Sequence, residues 1–113
     1  MDRPCILVTG GAGFIGSNIV ARLCADDAGP VAVCDRLRDA ASGKWQNLAK
    51  HAIADFTPPE ELFSWLDAHR SEVGLIIHMG AISSTLEADA DRIMSNNFAL
   101  SRDLFRWLSL IHI

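Results

Sequence analysis

The sequence predicts an α/β fold, a mostly parallel sheet doubly wound with helices. Three observations predict it. Short apolar runs alternate with amphipathic stretches along the chain. The segment "VTGGAGFIGSNI" (8–19) places a cluster of glycines between the first run and the first amphipathic stretch. An acid, Asp35, then closes the second run.

The elements follow in order. "CILVT" (5–9) is continuously apolar, as a parallel strand buried on both faces must be. From Phe14 the period lengthens: Ile15, Ile19 and Leu23 recur every four residues with Val20 beside them, which predicts a helix closed by Asp26 to Pro30. "VAVCD" (31–35) is a second buried strand, and "HAIAD" (51–55) is expected to be a third. "PPEELFSWLDAHR" (58–70) opens with prolines and acids suited to a helix start, with Leu62 and Leu66 as its apolar face. "VGLIIH" (73–78) is a fourth strand. From Asp89 onward, Ile93, Asn97, Leu100, Leu104 and Leu108 step along one helical row. The stretch from Arg36 to Lys50 is the one long irregular piece, the usual place for a binding loop.

Bulk properties narrow the function. With 113 residues the chain holds one domain at most, and 50% hydrophobic with 21% charged residues is ordinary globular composition. The net charge of −4 without a basic run argues against a nucleic-acid partner, and no apolar run is long enough for a membrane partner. The N-terminus enters a strand-like run directly, so a cytoplasmic location is expected. Cys5, Cys24 and Cys34 are odd in number and irregularly spaced, as reduced core thiols are. His51, His69, His78 and His112 show no ligand spacing, so no metal site is expected, and His78 reads as a core histidine.

The glycines carry the chemistry. Gly11, Gly13 and Gly16 satisfy G-x-G-x-x-G, and Gly10, Gly13 and Gly16 satisfy G-x-x-G-x-x-G. The leading glycines permit the tight turn, Gly13 lets a pyrophosphate approach the backbone, and Gly16 lets the helix pack closely on the strand. The free amides of the helix N-terminus then face the anion. This strand–turn–helix context, with Asp35 placed for an adenosine ribose, predicts a Rossmann-like dinucleotide site. Asp35 favours the ribose hydroxyls of NAD, while Arg36, with Lys44 in reach, suits the extra phosphate of NADP. The reading leaves NADP or NAD open.

These residues resemble the extended short-chain dehydrogenase/reductases, the NAD-dependent epimerases and dehydratases. "NLAKHAIADF", "IIHMGAISST" and "MSNNFALSRDLF" are more narrowly similar to the ADP-glyceromanno-heptose 6-epimerases of lipopolysaccharide core synthesis. The resemblance runs from about Ile6 to Trp107 and implies an N-terminal, incomplete part of the Rossmann-like domain. It implies that Phe14 and Ile15 line the pyrophosphate loop and that Asp35 and Arg36, with Lys44 nearby, meet the ribose. Asp55, at the end of the third strand, would sit by the adenine edge. Met79, Gly80, Ala81, Ile82 and Ser83 would wrap the cofactor, Asn96 would touch it from the next helix, and Ser83, Ser84 and Thr85 would face the substrate. The whole enzyme would be a homo-oligomer acting on an ADP-heptose by transient oxidation at C6. Related readings are another sugar-nucleotide epimerase or dehydratase, or a non-catalytic dinucleotide-binding module. Pro59 stands where the family can supply a lysine, and Arg36 replaces a commoner asparagine.

The resemblance also implies a catalytic Y-x-x-x-K pair, and the chain contains no tyrosine. No catalytic residue is therefore expected within it, and the chain alone is expected to be inactive. Residues 1–107 are assigned to the nucleotide-binding portion. "LSLIHI" (108–113) matches the translation of a transposon-end sequencing adapter and is expected to be a non-native tail, unless the helix row continues through Leu108 and Ile111.

Overall fold

The computed structural model describes residues 3–36, 44–49, 51–80 and 98–111. They divide into two compact units at Met79 and Gly80. In the first unit, four parallel strands stand in the order β3-β2-β1-β4: β1 (Cys5–Thr9), β2 (Val31–Cys34), β3 (Asp55–Thr57) and β4 (Val73–His78). Helix α1 (Phe14–Ala25) links β1 to β2, and α2 (Leu62–Ala68) links β3 to β4. The chain leaves β1 toward β2 on one side, while β4 lies on the other, which is the topological switch point of a doubly wound sheet.

Alternation along the strands builds the core. Ile6 and Val8 pair in register with Val31 and Val33, so the four share one face. Val20 of α1, Ala12 and Leu48 join them in the buried cluster, with Leu23, Cys24, Ile53, Phe56 and Ile77 packed on its rim. Leu7, Ala32 and Cys34 take the opposite face and are equally buried, as strands covered on both sides require. Leu62 and Leu66, the predicted apolar face of α2, are fully buried.

Three expectations are corrected. The buried residues of α1 are Gly16 and Val20, with Leu23 packed against the core, so the predicted row holds at Val20 and Leu23 and departs at Ile15. The cause is Gly16, whose close approach to the Gly10 backbone turns that side of the helix inward and leaves Ile15 59% exposed. The third strand is Asp55–Thr57 rather than 51–55, because β2 is short and aligns Ala32 with Asp55. The helix expected from Pro58 begins as a 3₁₀ turn over Pro59–Glu61, since Pro58 is extended and only Leu62 onward is α-helical. The irregular stretch also contains a short 3₁₀ turn, Lys44–Asn47.

In the second unit, helix α3 (Leu100–Ile111) buries Leu104 and Trp107 and leaves Phe105 exposed. It runs unbroken across the 107/108 boundary expected from sequence. Residues 81–97 lie outside the described residues, and with them the start of the predicted helical row.

Candidate functional site

Three strand ends meet at the carboxyl edge of the sheet. Thr9 pairs in register with Cys34 on one side and His78 on the other. Beyond them the Gly10 N–H donates to the Cys34 carbonyl at 2.7 Å, and the Met79 N–H donates to the Thr9 carbonyl at 3.0 Å. Gly10, Asp35 and Met79 therefore leave the sheet side by side.

The turn between β1 and α1 is shaped by its glycines. Gly10 has φ of 69°, the left-handed region where a side chain is strained. A Cβ on Gly16 would lie 2.0 Å from the Gly10 carbonyl oxygen, and one on Gly11 would lie 2.8 Å from Val33 Cγ1. Both positions thus require glycine for close packing, at Gly16 of helix on turn and at Gly11 of turn on strand. Gly13 is the N-cap of α1, no side chain caps the helix, and its first turn holds no acid. The first-turn amides and the positive end of the helix are left for an anion.

Asp35 is buried and tied to this turn. Its Oδ2 accepts the Ala12 N–H at 2.8 Å, and its Oδ1 accepts the Arg36 N–H at 2.6 Å. Asn47 Nδ2 donates to the Ala12 carbonyl at 2.7 Å, so both sides of the residue between Gly11 and Gly13 are clamped. The periodicity of the sequence carries no signal of the Asn47 contact. Each oxygen of the Asp35 carboxylate, at the end of β2, thus accepts a backbone N–H.

Phe14 and Ile15 stand at the helix start, 84% and 59% exposed, and Met79 is 39% exposed at the end of β4. Such apolar groups around an anion-receiving turn can cover a flat, partly apolar ligand. Arg36 pairs with Glu60, on the turn after β3. His78 Nδ1 shares a hydrogen bond with Thr9 Oγ1; the ring is half-buried, and that partial burial lowers its pKa from 6.5. Burial, then the neighbouring Asp35 and Glu60 charges, push the Cys34 thiol up from 9.0 to about 12, which makes it inert. All three cysteines are free.

Asp55 needs correction. It opens β3 instead of ending it, and its exposed carboxylate accepts Trp65 Nε1 and the Phe56 N–H, which lower its pKa. Thr57, buried, is the residue at the carboxyl end of that strand. Gly80 is described, whereas Ala81, Ile82, Ser83, Ser84, Thr85 and Asn96, and the side chain of Lys44, lie outside the described residues. Among the described residues no group of histidines, cysteines and acids forms a metal cluster, and no helix is long and apolar enough to cross a membrane.

Comparison with known proteins agrees with this geometry. The profile of the NAD dependent epimerase/dehydratase family matches residues 6–113. The chain is 38% identical over 104 residues to an ADP-L-glycero-D-manno-heptose-6-epimerase of Fusobacterium nucleatum subsp. nucleatum, covering 90% of this chain and 31% of that protein. It is 41% identical over 104 residues to the enzyme of that name from Alkalilimnicola ehrlichii, covering 90% and 32%. The chain thus spans about a third of the length of these relatives. UDP-glucuronic acid 4-epimerase of Bacillus cereus, crystallised with UDP-glucuronic acid and NAD, superposes with a TM-score of 0.76 at 26% identity, covering 96% of this chain and 37% of that one. The Helicobacter pylori ADP-L-glycero-D-manno-heptose-6-epimerase shares the fold, with a TM-score of 0.80 at 24% identity over 97% of this chain and 37% of that one.

Proposed function

Because the chain belongs to the NAD dependent epimerase/dehydratase family, we propose that it is the cofactor-binding N-terminal part of an ADP-L-glycero-D-manno-heptose 6-epimerase. The observation that carries this reading is the uncapped glycine turn clamped to Asp35 at the switch point of the sheet. The choice of sugar rests on the two relatives at about 40% identity.

The residues present fit a dinucleotide. Gly10, Gly11, Gly13 and Gly16 give its pyrophosphate close access to the first-turn amides of α1, and Phe14 and Ile15 flank it. Asp35 accepts the adenosine ribose hydroxyls while holding the Ala12 N–H. Held by these residues, the dinucleotide would supply reversible hydride acceptance for oxidation and re-reduction of the sugar. This chain contributes binding and orientation to that reaction. The proton relay needs a tyrosine, which these 113 residues do not contain. The full-length enzyme is a cytoplasmic homo-oligomer on this reading, and the chain alone is inactive.

Isothermal titration of the 113-residue chain with NAD+ and NADP+ tests the proposal. Saturable binding that is lost on Gly16→Val supports it. Wild-type protein that is folded yet binds neither nucleotide overturns it.

A further inference from the structure

We propose that Asn47 is a positioning residue of the dinucleotide site. Its side-chain amide pins the peptide unit between Ala12 and Gly13, which holds the glycine turn in the form that receives a pyrophosphate. The inference rests on the dinucleotide reading above and deepens it.

The composition of the turn creates the need for a clamp. Glycine lets a ligand approach the backbone but leaves that backbone loose, and Gly10, Gly11 and Gly13 make up most of the turn. Side chains from elsewhere fix two consecutive peptide units in it. The unit between Gly11 and Ala12 is held through the Ala12 N–H, which donates to Asp35 Oδ2 at 2.8 Å. The next unit is held at both ends. Its carbonyl, that of Ala12, accepts Asn47 Nδ2 at 2.7 Å. Its N–H, that of Gly13, donates to the Gly10 carbonyl at 3.1 Å. A trans peptide is planar with N–H and C=O opposed, so each of these bonds supports the other.

Asn47 is itself anchored. It ends the 3₁₀ turn Lys44–Asn47, and the next residue, Leu48, is buried in the core cluster with Val8, Ala12 and Val33. The Leu48 carbonyl also accepts the His51 N–H at 3.0 Å. The residue type suits the task, because an amide nitrogen donates to a carbonyl without adding charge beside the phosphates.

The bond bears on binding because Gly13 is the N-cap of α1. The Gly13 carbonyl accepts the Ser17 N–H at 2.9 Å, the first bond of the helix, and the first-turn amides follow directly. Rotation of the Ala12–Gly13 unit would take the Gly13 N–H off Gly10 and free a carbonyl dipole close to the helix start. That change weakens the hold on a pyrophosphate, whichever nucleotide carries it.

The test compares wild type and Asn47→Ala on the full 113-residue chain, at a temperature where both are folded. Amide hydrogen exchange without nucleotide reads the turn, and calorimetry with NAD+ and NADP+ reads binding. Asn47→Ala should speed exchange of the Gly13 amide roughly fivefold more than that of Leu7 in the centre of β1. It should weaken NAD+ and NADP+ by the same factor, roughly three- to tenfold, since both carry the pyrophosphate. A side chain that only stabilised the fold would leave the affinity of the folded protein unchanged. If wild type and Asn47→Ala bind nucleotide equally well, Asn47 has no positioning role and the dinucleotide site stands. If wild type binds neither nucleotide, the dinucleotide reading fails and this inference fails with it.

Discussion

The Asp35 carboxylate accepts the backbone N–H of Ala12 at 2.8 Å, which ties the end of β2 to the middle of the glycine turn. The two residues lie far apart in sequence, and the bond is buried. The same carboxylate therefore stabilises the turn from the neighbouring strand. Asp35→Ala should leave the Ala12 N–H without its partner and cost about 1–3 kcal/mol, read as a lowered midpoint in urea. Asp35→Asn, which keeps one acceptor oxygen, should cost less. Equal stability of Asp35→Ala and wild type would show that the clamp is not formed in solution.

Gly16→Ala should be far more damaging than an ordinary glycine replacement in a helix. The new Cβ would lie 2.0 Å from the Gly10 carbonyl oxygen, which is backbone and cannot rotate away. The expected loss is about 2 kcal/mol or more, with the turn displaced. Gly13→Ala is the control, because its Cβ would meet the same oxygen at 3.4 Å, an ordinary contact. A thermal melt of the two variants checks the order.

The stability should fall at both ends of the pH range for identifiable reasons. His78 has its pKa lowered by burial, so the folded state resists protonation, and stability is lost as pH drops below about 6.5. Cys34 has its pKa raised from 9.0 to about 12, so unfolded chains ionise first and stability is lost as pH rises above 9. Urea midpoints at pH 5, 7 and 10 should therefore peak near 7. Cys34→Ser should flatten the alkaline limb, and His78→Gln the acid one.

Cys34 should also react slowly with thiol reagents in the folded protein, since it is buried and carries almost no thiolate near neutral pH. Labelling at pH 8 followed by peptide mapping should modify Cys34 last among Cys5, Cys24 and Cys34. Rapid modification of Cys34 in the native state would contradict its placement.

Local pattern made some of this legible, and tertiary pairing decided the rest. β1 and β4 coincide with the apolar runs that predict them, and the glycines identify their own turn, because backbone access leaves few other residues possible there. β3 was misplaced, since its limits depend on where β2 begins, not on its own apolar content. The α1 row holds at Val20 and Leu23 but not at Ile15, because the close contact of Gly16 with Gly10 decides which side of the first turn faces the sheet. Neither the Asn47–Ala12 bond nor the Arg36–Glu60 pair was foreseen, as each joins segments that only the sheet order brings together.

The central claim is that the glycine turn and Asp35 form one nucleotide site. The most direct measurement is an amide NMR titration of the 113-residue chain with NAD+. The account predicts saturable shifts centred on Gly10 to Ser17 and Asp35, with amides on the opposite edge of the sheet, such as Val73, unmoved. Saturable shifts elsewhere, with the turn and Asp35 silent, would contradict it.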